Sequence, residues 1–327
     1  LELARILNQS QKGKTMHYAP APLHIPDGFL NLVISLFFWT ITVITVGIAV
    51  SKTNKSLGEK QAPLMGVMAA FIFAAQMLNF PVAGGTSGHF LGGALAAIVL
   101  GPWAAILVMT SVIAVQGLLF QDGGLLVMGA NVFNMGLLTA VIGFGLYRSV
   151  IGRSKAVRLT VAGIAAWVAV IAAALMTSLQ LWLSGTSQLQ LVLPAMLGVH
   201  VLIGVGEAIV TVAALAFIEQ TRPDLLSQKS SAEKGGRGWI VVGLLVTLLA
   251  VILSPLASAS PDGLERVAAD MGFLDSGRAA PYQLLPDYTV PFLGETPLST
   301  VVAGAVGALV ALALMVVVGV ILRKRNT

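Results

Sequence analysis

Cysteine is absent from this chain, which rules out disulfides and thiolate metal sites. Charge is scarce too: Asp, Glu, Lys and Arg make up 10% of residues, where a soluble domain carries about 25%. That deficit excludes an ordinary water-soluble fold. There is no Gly-x-x-x-x-Gly-Lys-Ser/Thr phosphate loop, so the chain does not hydrolyse ATP by that route. Gly204-Val205-Gly206 is not a dinucleotide fingerprint, because no strand precedes it and a membrane helix continues after it. No Ser-His-Asp arrangement is suggested, so the chain does not read as an enzyme, and no cofactor is implied. The apolar runs do not alternate in segments of about ten residues, which excludes a β-barrel. No internal repeat stands out, which weakens an inverted-repeat transporter.

What the chain has is hydrophobicity: 57% of its 327 residues are apolar, with a mean hydropathy of +0.90. Nine apolar spans are read near 30–51, 62–80, 88–101, 103–120, 129–147, 159–183, 191–218, 238–257 and 299–322. The expected fold is therefore an all-α polytopic protein of the lipid bilayer. Spans three and four are short and meet at Gly101-Pro102, a tight hairpin tolerable at membrane depth only under protein cover.

The net charge of +5 invites a nucleic-acid reading, but the basic residues fall between spans. Lys52, Lys55 and Lys60 follow span one; Arg148, Arg153, Lys155 and Arg158 follow span five; Arg222, Lys229, Lys234 and Arg237 follow span seven. Arg323, Lys324 and Arg325 close the chain. Alternating spans put all four clusters on one face, cytoplasmic by the positive-inside rule. No nucleic-acid partner is needed. The expected location is a prokaryotic cell (inner) membrane, with the N-terminus outside and the C-terminus cytoplasmic.

Residues 1–15 lack the apolar core of a signal peptide, and Met16 reads as a start, so 1–23 are set aside as an extension. Residues 24–218 form a seven-span section, and 219–237 have the composition of a cytoplasmic linker. Residues 238–327 form a helical hairpin around an outer segment, 258–298. That segment reads either as a solvated connector or as a docking arm over the first seven spans.

Two of the four histidines sit at the ends of apolar segments on the expected outer face. His24 lies in Leu23-His24-Ile25-Pro26-Asp27-Gly28, and His89 follows Gly84-Gly85-Thr86-Ser87-Gly88. Alone, each is an ordinary interfacial residue. Together they offer two imidazoles to a divalent ion such as Ni²⁺, Co²⁺, Cu²⁺ or Zn²⁺. No acidic cluster is evident near them, so further nitrogen ligands have to come from backbone amides or a free amino terminus, which favours Ni²⁺ or Cu²⁺. Pro26 and Gly28 fix a turn, and Asp27 is expected to cap the first span. His200 and Glu207 share a face of span seven, either as a structural pair or on an ion path. Gln76, Asn79, Asn131 and Asn134 are expected to hydrogen-bond between helices or to touch a hydrated ion.

The HIPDGFL stretch resembles the N-terminal signature of the cobalt/nickel substrate-binding component of energy-coupling factor transporters, the CbiM/NikM family. The resemblance continues through APLMGVMAAFIFAAQMLNFPVAGGTSGHFLGGALAAIVLGPWAA, LLFQDGGLLVMGANVFNMG and MLGVHVLIGVGEAIVT. Residues 238–322, with Pro261-Asp262-Gly263-Leu264-Glu265, resemble the accessory N component of the PDGLE type. The resemblance implies a seven-helix ion-binding component, fused to an accessory hairpin and working with a transmembrane coupling subunit and two cytoplasmic ATPases. It implies that the ion is held by a free amine, by the amide and imidazole of the histidine after it, and by a second histidine. These carry over to His24 and His89. Fusion to a PDGLE-type unit favours nickel over cobalt. In the family the first histidine is the second residue, whereas here Leu23 and more precede it. Processing to Leu23, a start at Met16 with a Met16-His17 amine site, or an altered ligand set each accommodate this. Two other readings stand beside this one: a stand-alone secondary divalent-cation permease, and a non-transporting membrane metal sensor or scaffold.

Overall fold

The structure is a computed structural model and describes residues 24–56, 61–223 and 238–324. Met16, His17 and Leu23 lie outside the described residues.

The helices of the first section are α1 (Leu32–Ser56), α2 (Gln61–Gln76), α3 (Gly93–Leu100), α4 (Pro102–Phe120), α5 (Met128–Arg148), α6 (Lys155–Leu183) and α7 (Leu189–Thr221). Then come α8 (Gly238–Leu253), a short α9 (Gly263–Asp270) and α10 (Pro297–Lys324). Seven of these are long and apolar enough to cross a membrane. Helices are the expected solution, because each one satisfies its own backbone in lipid. α4 is the central element, with 67% of its most apolar stretch buried, against 22% for α1 and for α8. The peripheral pair turn Leu32, Val33, Val241 and Leu245 outward, as lipid-facing helices do.

Two of the nine expected spans are corrected. The second, read as 62–80, stops at Gln76. Phe80–Val82 instead forms a strand, β1, antiparallel to β2 (Thr86–Gly88), with Pro81 opposite Ser87. Pro81 lacks the N–H that would continue a helix. The third span, read as 88–101, is extended backbone up to Gly92 followed by the eight-residue α3. An eight-residue helix is only about 12 Å long. The tight hairpin at Gly101-Pro102 is present, with Gly101 at φ 81° and Pro102 opening α4.

Extended backbone within an apolar bundle needs polar partners, and two side chains supply them. The Glu207 carboxylate accepts from the backbone N–H groups of Leu91 at 2.6 Å and Gly92 at 2.9 Å. Gln76 Nε2 donates to the Leu91 carbonyl at 2.8 Å. Asn134 and Gln180 form a reciprocal amide pair between α5 and α6, at 2.8 and 2.9 Å. Of the four amides expected to pair helices, Asn134 does so, whereas Gln76 holds extended backbone.

The C-terminal unit packs along α2 through small residues. A Cβ on Gly307 would meet the Phe73 ring at 2.0 Å, one on Gly304 would meet Met77 at 2.9 Å, and one on Gly319 would meet Ala62 at 2.5 Å. Such close approach replaces the hydrophobic drive that lipid removes. At the far end from the histidines, Glu219 on α7 pairs with Arg158 and, at 3.7 Å, with Lys155 on α6.

Candidate metal-binding site

The turn Pro26–Phe29 delivers His24 into the bundle. Gly28 sits at φ 95°, and a Cβ there would lie 2.1 Å from the Ser276 carbonyl oxygen. Only glycine meets both conditions. Asp27 does not cap the first span, contrary to expectation. Its carboxylate accepts from the backbone N–H groups of Leu125 at 3.0 Å, Leu126 at 2.9 Å and Val127 at 3.2 Å, at the entrance to α5. Each such bond to a charged group is worth about 1.5–3 kcal/mol. Asn31 caps α1 instead, accepting from Ile34 N–H at 2.9 Å. Asn131 grips the Ile25 peptide from both sides, accepting its N–H at 3.1 Å and donating to its carbonyl at 3.0 Å. Asn131 is therefore occupied in holding the residue after His24.

The two imidazoles come together. His24 is 2% exposed, and its ring centre lies 5.8 Å from that of His89, with the planes 51° apart. Metal–nitrogen bonds of about 2.0–2.1 Å put each ring centre about 3 Å from a shared ion, so this separation suits two rings on one ion. A cavity of about 70 Å³ adjoins them, and His200, Asn131, Asn134 and Asp262 are also among its lining. It has room for an ion and a few waters.

His200 and Glu207 lie on one face of α7 but do not pair with each other. His200 Nδ1 donates to the Met196 carbonyl at 2.7 Å, while Glu207 is taken up by Leu91 and Gly92. Among the described residues, no group of three or more His, Asp or Glu side chains is arranged to hold an ion. A full coordination sphere therefore needs donors beyond the histidine pair.

Sequence reading missed a carboxylate. His24 Nδ1 lies 2.8 Å from Asp122 Oδ1, and Asp122 is 4% exposed. Burial pushes the Asp122 carboxyl up, but the positive charge of His24 and the hydrogen bonds from His24 and Tyr288 outweigh it, leaving it below its ordinary value. Since a carboxylate only accepts, Nδ1 carries a proton, and in the neutral ring Nε2 keeps the lone pair. His24 Nε2 is buried with no hydrogen-bond partner among the described residues. Gly123, at φ 95°, allows the close approach: a Cβ there would sit 2.8 Å from His24 Cβ. The signal was in the Gln121-Asp122-Gly123-Gly124 run, a charged residue between a span and two glycines. The chelate implied by the family resemblance joins the amide and imidazole of one histidine. Such a ring closes through Nδ1, which here is taken by Asp122.

The segment 258–298 is a docking arm rather than a solvated connector. Ser87 donates from its backbone to the Pro261 carbonyl at 2.8 Å and from its hydroxyl to the Ser260 carbonyl at 2.8 Å. Asp262 caps α9, accepting from Glu265 N–H at 2.7 Å. Gly263 lies against His200 and Ile203. Arg278 N–H donates to the Asp27 carbonyl at 2.7 Å, and Leu285 N–H to the Leu119 carbonyl at 3.0 Å.

Apolar helices of spanning length packed around buried polar side chains define a multi-pass membrane protein. Residues 24–225 match the CbiM family, described as the cobalt uptake substrate-specific transmembrane region, and residues 237–324 match the PDGLE domain. The chain belongs to the CbiM family, as a substrate-binding component fused to a PDGLE domain. It is 37% identical to a putative fused nickel transport protein NikMN of Archaeoglobus fulgidus, over 89% of this chain and 96% of that one. It is 30% identical to a fused nickel transport protein NikMN of Rhodobacter capsulatus, over 87% and 94%. A truncated transition metal transporter of known crystal structure is 33% identical, with a TM-score of 0.55, over 60% of this chain and 98% of that one. The chain is a membrane component of nickel/cobalt uptake, not an enzyme.

Proposed function

We propose that the chain is the ion-binding component of an ATP-driven importer, that it takes Ni²⁺ in preference to Co²⁺, and that His24 and His89 supply imidazole donors. The observation that carries the reading is His24 Nε2, a buried imidazole nitrogen with no hydrogen-bond partner among the described residues, beside a second imidazole. Side-chain oxygens such as Gln76 Oε1 and Thr211 Oγ1 are also buried without a partner among the described residues, but His24 Nε2 is the imidazole nitrogen among these atoms, a donor of the type that divalent ions take. An incoming ion supplies the missing partner. Upstream backbone or an amino terminus near Leu23, or near Met16 and His17, completes the sphere; His200 lines the same cavity. Residues 24–218 bind, 219–237 link, and 238–327 form the accessory hairpin.

The histidine end faces outward in this proposal, and the Arg158–Glu219 end faces the cytoplasm. Energy comes from a transmembrane coupling subunit and two cytoplasmic ATPases, since this chain has no phosphate loop. A stand-alone permease needs a membrane-embedded carboxylate open to a coupling ion. Glu207 is the candidate, and both its oxygens are on backbone amides.

Equilibrium dialysis of the purified full chain against radioactive Ni²⁺, with His24→Ala and His89→Ala alongside, tests the site. Loss of binding in both variants is expected, and full retention in both overturns the assignment. Co-purification with ATPase subunits tests the partners.

A further inference from the structure

We propose that the groove between α7 and α8 holds one acyl chain of an anionic phospholipid, with the lipid phosphate at Arg222. The proposal does not use the ion ligands. It places the lipid in the leaflet on the Arg158–Glu219 side, cytoplasmic in the orientation proposed above.

The groove exists because α8 packs along α2 and α10 and scarcely touches α7. Gly243 sets that bias. A Cβ there would meet Val67 of α2 at 2.4 Å, so α8 lies close against α2 and leaves α7 uncovered. The resulting cavity is about 700 Å³. Its walls come from α2, α3, α7 and α8, so the first section and the C-terminal unit share it. Ile209, Phe217 and Val246 on those walls are exposed. Apolar walls left facing a void forfeit their dispersion contacts, so a filled groove is the stable state in lipid.

Its length selects the occupant. Along α7 the groove runs from Ile209 to Arg222, about 20 Å at 1.5 Å per residue. A bilayer with its headgroups is about 40–45 Å thick, so the groove is about one leaflet deep. One turn beyond Ile209, toward the histidines, Phe80 of β1 covers Gly206, and a Cβ there would lie 2.3 Å from its ring. The groove is therefore closed toward the histidine end and open at the opposite surface. A spanning helix from another chain needs the full thickness, whereas an acyl chain ends at the bilayer centre.

Its mouth selects the headgroup. Arg222 and Trp239 both line it, and the Arg222 guanidinium lies over the Trp239 ring, 5.6 Å from the ring centre. Tryptophan favours the headgroup level, and the ring face holds the cation there. A guanidinium carries five N–H donors in a fork that matches phosphate oxygens, so it can serve a phosphate besides its other contacts. Gly238 also lines the mouth and opens α8, which brings the positive end of that helix to the same place. The neighbouring carboxylate on α7, Glu219, is taken up by Arg158 and Lys155. Basic pockets between spanning helices are a recurrent setting for anionic lipid.

Native mass spectrometry of the purified full chain, offered phosphatidylglycerol and phosphatidylcholine with the same acyl chains, tests this. One phosphatidylglycerol should stay bound, about fivefold in preference to phosphatidylcholine, the gain that one basic residue at a membrane surface supplies. Arg222→Gln should bring that preference to parity. Arg148→Gln, which removes an exposed basic residue outside the groove, should leave it unchanged. Ala213→Trp puts a large ring into the groove from an exposed position on α7 and should remove both lipids. Ala213→Leu, a smaller intrusion, should weaken both and serves where the larger variant does not fold. Equal retention of the two lipids by the wild type, or a preference that survives Arg222→Gln, overturns the proposal. So does unchanged lipid retention in the Ala213 variants; if those variants instead lose a co-purifying coupling subunit, the groove belongs to a protein partner.

Discussion

Glu207 and His24 are the two most informative buried ionisable groups in the molecule, and they flank the same extended segment. Glu207 is 1% exposed and His24 is 2% exposed. Glu207 has both oxygens filled by the Leu91 and Gly92 amides. His24 has one nitrogen filled by Asp122 and one left over. Glu207 spends both its oxygens on the backbone, whereas the imidazole of His24 keeps a nitrogen free to take a ligand. The comparison separates scaffold from site more sharply than burial or residue type does, since the sequence offered both residues as candidates.

The largest effect that can break this comparison is on Glu207. Glu207→Ala strands two buried amides at about 1–3 kcal/mol each, so a loss of about 2–6 kcal/mol in stability is expected. A thermal melt in detergent measures it, and the surviving folded protein should bind Ni²⁺ as before. Weakened binding without lost stability would move Glu207 to the ion site. His24→Ala should do the reverse: a fall in Ni²⁺ affinity beyond the roughly 100-fold that marks loss of an outer partner, with a smaller shift in the melt than Glu207→Ala, because Asp122 loses one donor but keeps the Tyr288 hydroxyl.

Asp122→Ala sharpens the comparison further. If Nε2 binds the ion with Asp122 orienting the ring, affinity drops about 10–100-fold in dialysis. Unchanged or tighter binding would mean that the released ring chelates through Nδ1 with its own amide.

The smallest effect concerns the arm. Burial pushes Asp262 up to about 7, against the hydrogen bond from Glu265 N–H, and the charges of Glu265 and Asp122 add to the rise. The carboxyl of an undocked arm titrates at about 3.9. The docked arm therefore holds the extra proton between these values, so its stability is greatest below about pH 4 and is lost as pH rises through about 7. Amide protection in α9, corrected for intrinsic exchange, should fall across that window. Asp262→Asn should flatten the profile, since Asn caps a helix as well as Asp does. A profile unchanged in Asp262→Asn would assign the dependence to another group.

The sequence carried the helical class, the two sections and the histidine pair. Hydrophobic run length and loop charge are local quantities, and lipid converts them directly into helices. Reading stopped at contacts between distant segments. Asp122 is 98 residues from His24, and Tyr288 is 166 residues from Asp122. Nothing local distinguishes Asp122 from a loop residue or Pro286-Asp287-Tyr288 from a connector. Asp27 misled for the same reason: it precedes a helix in sequence but serves the entrance to a different one in space. The short third helix was misread because apolar residues 88–92 look helical by composition. Their extended form is sustained by Gln76 and Glu207, from two other helices.

By itself, then, the sequence determined that this chain lives in a bilayer, where its long spans fall and which imidazoles sit near the ends of its apolar segments, but not that the stretch from Phe80 to Gly92 leaves the helix. Only the tertiary structure decided that Glu207 has both oxygens paired with backbone amides while His24 keeps one nitrogen without a partner among the described residues. Hydrophobicity acts residue by residue, whereas satisfying a buried polar atom takes a partner that the chain order does not reveal.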